Sequence, residues 1–80
     1  MGCRDDIEHL KGNRKDQAFA ELAAILHRNG FEMHPRKRGS HRSFSRPGCF
    51  ESPTLVEGRD PLLPAYVRSV VRALEETCDD

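Results

Sequence analysis

The sequence predicts an α+β domain of order helix, three short antiparallel strands, helix, with both helices on one face of the sheet and the other face open. Three observations predict it. Phe19, Leu22, Ala23 and Leu26 fall at i, i+3, i+4 and i+7, the stripe of an amphipathic helix. From Gly30 the period changes to two: Phe31 and Met33 alternate with Glu32 and His34, and a second alternating run follows at 41–46. Val67, Val70, Val71 and Leu74 then restore the helical spacing.

Each element has its own local signals. In residues 1–15, Ile7 and Leu10 share one face and Gly12 ends the run, which predicts a short extra N-terminal helix or an arm ahead of a 16–76 core. Asp16 is placed to cap the orphan N–H groups of the next helix, and Asn29-Gly30 to close it, since glycine takes the left-handed conformation without penalty. His27 falls off the apolar stripe and is expected in solvent. The first strand runs to Pro35, and Arg36-Lys37-Arg38-Gly39-Ser40 is a hairpin turn with Gly39 at positive φ. In the second strand Phe44 is the only large apolar residue, so its face is expected against the helices, with Arg42 and Arg46 reaching round to water. His41, Ser43 and Ser45 then belong to the open face. Ser52–Val56 supplies a third strand that Pro53 restricts, and Pro64 suits the first turn of the last helix.

Eighty residues make a single domain with a small core, because a chain this short buries only about 60% of the surface its unfolded form exposes. That disfavours a deep metabolite pocket and favours a surface that works on a large partner. The net charge is zero but unevenly spread. Residues 31–50 carry five cations (Arg36, Lys37, Arg38, Arg42, Arg46) against Glu32, whereas residues 51–80 carry three arginines against seven acids and finish in an acidic 77–80 tail. A basic central segment points toward nucleic acid. Cys3, Cys49 and Cys78 are odd in number and widely spaced, which predicts no disulfide framework and a reducing, cytoplasmic setting. The cysteines and four histidines lack metal-site spacing, so neither metal nor cofactor is expected. No run suits a membrane span or signal peptide, and Asp6 stands where the Met-Gly-Cys opening would need Ser or Thr to direct myristoylation.

The candidate site is the open sheet face: His41 and Ser43, presented by Gly39 and Ser40 and bordered by Arg36, Lys37, Arg38 and Arg42. Cations grip a phosphodiester backbone because phosphate contacts release counterions. An imidazole titrates near neutral pH and can move protons. In RNA the attacking group is already present: a base that takes the 2′-hydroxyl proton starts cleavage without a metal, while cations stabilise the added charge. Residue chemistry alone supports either such an enzyme or a module that binds RNA without turning it over; a basic face for an acidic protein partner is a third reading.

The run GFEMHPRKRGSHRSF, preceded by FAELAAILHRN and followed by LLPAYVRSVVRALEE, resembles the HicA family of toxin mRNA interferases. The resemblance covers about residues 16–76, and its specific part is Gly30-Phe31 with Gly39-Ser40-His41 and Phe44. It implies a double-stranded-RNA-binding-like α-β-β-β-α fold and metal-independent, growth-arresting cleavage of single-stranded mRNA. It also implies a monomer that joins a HicB-type antitoxin in a hetero-oligomer. His41 takes the place of the catalytic histidine, with Gly39 and Ser40 as the turn that presents it. The sequence departs from the family pattern at Arg42, where a second histidine or an aromatic often stands, and at Ser43, where a branched aliphatic is common. It departs again in SPTLVEGRD, where Glu57 and Asp60 replace a more basic edge.

Overall fold

The computed structural model describes residues 2–35, 39–58 and 60–78; Arg36, Lys37 and Arg38 of the basic turn and Asp79 and Asp80 of the acidic tail lie outside the described residues. The elements are α1 (Cys3–Gly12), α2 (Phe19–Arg28), β1 (Glu32–Met33), β2 (His41–Ser45), β3 (Thr54–Val56) and α3 (Pro64–Thr77). The three strands form one antiparallel sheet in the order β1-β2-β3. The architecture is therefore α+β, with the expected helix–three strands–helix order preceded by one further helix.

Helix α2 ends as the Asn29-Gly30 pair predicts. Gly30 has φ +92°, and the N–H groups of Gly30 and Phe31 donate to the carbonyls of His27 and Leu26 at 3.0 Å each. This is the paired bonding of a Schellman cap, and it buries Phe31 beside Leu26. The start of α2 differs from expectation. Asp16 does not cap it: the N-cap is Ala18, which has no side-chain acceptor. The Phe19 N–H donates instead to Asp60 Oδ1 at 2.9 Å, so the capping carboxylate arrives from 41 residues downstream.

The core is one cluster. Leu22, Ile25 and Leu26 of α2 and Val67, Val70, Val71 and Leu74 of α3 pack with Phe31, Phe44 and Leu55 of the sheet region. The two helical stripes and the inward side of Phe44 are those the sequence periods predict. Phe19 and Phe44 meet with ring centroids 6.4 Å apart. Glu76 of α3 braces the β2–β3 connection by accepting the N–H groups of Phe50 and Glu51 at 2.7 and 2.9 Å. Those bonds hold its carboxyl below the usual range, and Phe50 itself stands in solvent.

The N-terminal segment is a docked helix of ten residues, not an arm. Ile7 and Leu10 enter the core, α1 lies against α3, and Lys11 pairs with Glu75 at 3.1 Å. Asp6, 4% exposed, accepts from the Arg28 guanidinium and from Asn29 Nδ2 at 2.9 Å. A correction concerns the cysteines: Cys3 and Cys78 form a disulfide, with Cα atoms 5.9 Å apart, and Cys49 is free. Their separation of 75 residues hides the pairing in sequence, and the docking of α1 along α3 creates it. No helix among the described residues is long and apolar enough to cross a membrane.

Phe44→Ala should cost about 3–5 kcal/mol, most of what so small a domain possesses, and the variant should be largely unfolded by circular dichroism. Asp6 supplies a pH-dependent increment. Its carboxyl is held below the usual value chiefly by the hydrogen bond from Arg28, so its stabilisation is present at neutral pH and lost as pH falls through the lowered pKa. Asp6→Asn should cost roughly 1.5–3 kcal/mol at pH 7 by urea denaturation, and the deficit should shrink on acidification below about pH 4.

Candidate functional site

Strand β2 begins immediately after the turn that the sequence assigns to Gly39. Gly39 has φ +63°, a conformation that side-chain-bearing residues avoid, and Ser40 completes the turn. The Ser40 carbonyl accepts the Glu57 N–H at 2.8 Å, which fastens the start of β2 to the end of β3. His41 is the first residue of β2 and is exposed. Phe44 points into the core, so strand alternation sends His41 and Ser43 to the other face. Among the described residues the His41 ring has no hydrogen-bond or ion-pair partner, and the residue is exposed.

The neighbouring hydroxyls are occupied. Ser43 Oγ lies 3.2 Å from Thr54 Oγ1, and Ser45 Oγ lies 2.5 Å from His34 Nε2. The His34 N–H also donates to the Ser43 carbonyl at 2.8 Å. His34 and His41 thus flank Ser43 on one face, with the His34 ring turned toward Ser45 and away from His41. The period-two reading of residues 31–34 places His34 on this face, but no feature of the sequence distinguishes it from a solvated strand residue.

Two of the five cations are engaged within the fold instead of reaching to water. Arg42 Nε donates to Glu57 Oε1 at 3.0 Å, with the arginine side chain only 16% exposed. Arg46 Nη1 donates to the Asn29 carbonyl at 3.2 Å and lies across Gly30. The same geometry accounts for the two acids that depart from the family pattern. Glu57 holds Arg42, and Asp60 caps α2.

The chain matches no protein-family model, no curated protein and no solved structure.

A cavity of about 260 Å³ lies on the far side of Val56, the ladder partner of His41. Its walls are Val56, Pro61, Leu62, Leu63 and Tyr66. Val56 is the cross-strand partner of His41, so the two side chains share a face with Cβ atoms about 4.5–5.5 Å apart. Leu55 and Val56 are both buried although consecutive, because Pro61, Leu62 and Leu63, with Tyr66 of the first turn of α3, gather round the second of them. Sequence periodicity cannot show this enclosure, which a loop creates and a strand pattern does not encode.

The capping role of Asp60 is testable by contrast. Asp60→Ala should cost about 0.5–2 kcal/mol by urea denaturation. Asp16→Ala, at the exposed position the sequence favours, should change stability by under about 0.5 kcal/mol.

Proposed function

We propose that this chain is a metal-independent endoribonuclease that cuts single-stranded mRNA, acting as the toxin of a toxin–antitoxin pair and silenced by a HicB-type antitoxin. The observation that carries the reading is His41: an exposed imidazole at the exit of a positive-φ glycine turn, without an intramolecular partner among the described residues, beside a run of three cations in sequence. The resemblance of residues 16–76 to the HicA family supports it.

The chemistry follows from those groups. His41 takes the proton of a 2′-hydroxyl, the freed oxygen attacks the adjacent phosphorus, and the bond from phosphorus to the 5′-oxygen breaks. The leaving oxygen regains a proton from the imidazolium or from water. The products carry a 2′,3′-cyclic phosphate and a 5′-hydroxyl. Arg36, Lys37 and Arg38 neutralise the phosphate during attack.

The commitment of Arg42 and Arg46 to internal partners favours a second reading, a binding module of the same fold without turnover. One experiment separates the two. Purified parent and His41→Ala are incubated with single-stranded RNA, with and without EDTA. The parent should cut in chelator, and His41→Ala should be slower by about 10²–10⁴-fold while retaining RNA binding and a fold changed by under about 1 kcal/mol. Equal cutting by both would remove His41 from the mechanism; binding without cutting by either would establish the module.

A further inference from the structure

We infer that the cavity beside Val56 is a nucleobase subsite, which receives the base of a nucleotide flanking the phosphate that His41 addresses. This rests on the reading of the sheet face as an RNA site and adds to it a second contact of different chemistry: phosphate to the turn, base to the cavity.

Four observations converge. The first is position. Val56 forms one wall and is the ladder partner of His41, so a nucleotide whose phosphate or ribose meets the imidazole has its base within reach of the cavity. The second is size. At about 260 Å³ the cavity falls just below the ~300–1,000 Å³ typical of sites that enclose a whole small ligand, and it suits one planar ring system.

The third is chemistry. Leu62, Leu63, Pro61 and Val56 offer apolar side chains and Tyr66 offers the only tyrosine ring of the chain, a surface on which a base can stack. Leu63 is 65% exposed at the rim, an apolar side chain held in water at the mouth of an apolar cavity. The fourth is rigidity. The wall is pinned to the α1–α2 connection by the Leu62 N–H, which donates to the Gln17 carbonyl at 2.8 Å, and Asp60, next to wall residue Pro61, accepts the Phe19 N–H at the start of α2 at 2.9 Å. The site is therefore formed before a ligand arrives. The acids of the same connection do not present free carboxylates at its mouth, since Glu57 holds Arg42 and Asp60 holds α2.

Apolar walls recognise a π-face more than a pattern of donors and acceptors, so the subsite should demand a base without strongly choosing among the four.

The test uses the whole chain, isotopically labelled, and a six-nucleotide single-stranded RNA with 2′-methoxy groups throughout, which cannot be cleaved because the attacking hydroxyl is blocked. The intact oligonucleotide should shift the amide signals of Ser40 and His41 together with those of Leu62, Leu63 and Tyr66. A series of oligonucleotides, each with one abasic position, should contain one member that binds about tenfold more weakly or worse and no longer shifts 62, 63 and 66, yet still shifts 40 and 41. Leu63→Ser, which truncates an exposed side chain and places a good capping residue before α3, should weaken the intact oligonucleotide by a similar factor and leave that abasic one unaffected. A flat abasic series, or equal weakening of both oligonucleotides by Leu63→Ser, would overturn the subsite while leaving RNA binding in place. Absence of any shift at Ser40 and His41 would overturn the RNA site itself, and the subsite with it.

Discussion

The corner at which α2 becomes β1 is the constraint on which the rest of the fold depends. Gly30 must adopt φ +92°, and a side chain there would approach Arg46 Nε and Cδ at 3.2 and 3.3 Å. Arg46 in turn donates to the Asn29 carbonyl, while the Asn29 and Arg28 side chains reach the carboxylate of Asp6. Four elements therefore meet through five consecutive or bridging residues: α1 by Asp6, α2 and β1 by the turn, and β2 by the arginine just beyond its end. Fixing this corner sets the distance between helix and sheet, which lets Phe31 and Phe44 fill the same core. It also sets the face of β2 that looks outward, and so the exposure of His41.

That arrangement commits two cations of the central segment to internal partners. Arg42 and Arg46 hold the architecture together, each with a short internal contact. Arg36, Lys37 and Arg38 immediately precede Gly39 in the sequence and lie outside the described residues. Counting cations in the sequence does not reveal that Arg42 and Arg46 are engaged in this way. The same holds for the acids. Glu57 and Asp60 suggest a weakened edge when read against the resemblance, yet one neutralises a half-buried arginine and the other caps a helix.

Much of the fold was legible because it rests on short-range periodicity. The stripes at 19–26 and 67–74 and the alternation at 31–34 and 41–46 are properties of neighbouring residues, and the structure buries Leu22, Leu26, Phe31, Phe44, Val67, Val70, Val71 and Leu74 from them, whereas Met33, on the short edge strand β1, stays 47% exposed. The Gly30 and Gly39 turns were legible for a similar reason, since glycine at the end of a helix or in a hairpin has few rivals. The long-range pairings were not. Asp60 with Phe19, Arg42 with Glu57 and Cys3 with Cys78 span 41, 15 and 75 residues, and each depends on packing that no local pattern records. Of the site, the side of the strand bearing His41 could be read from Phe44 alone. The enclosure of Val56 by a loop, and the second histidine beside Ser45, required the assembled sheet.

The bond between Cys3 and Cys78 gives the molecule a topology that its hydrogen bonds do not. When it is formed, every connection between elements, from the residues after α1 to those before α3, lies inside a single covalent ring. A protease that nicks any one of those connections opens the ring without releasing a fragment, so the sheet and its helices stay joined as one molecule until a thiol reductant parts them. The exposed loops of this small domain are thereby relieved of sole responsibility for holding it together.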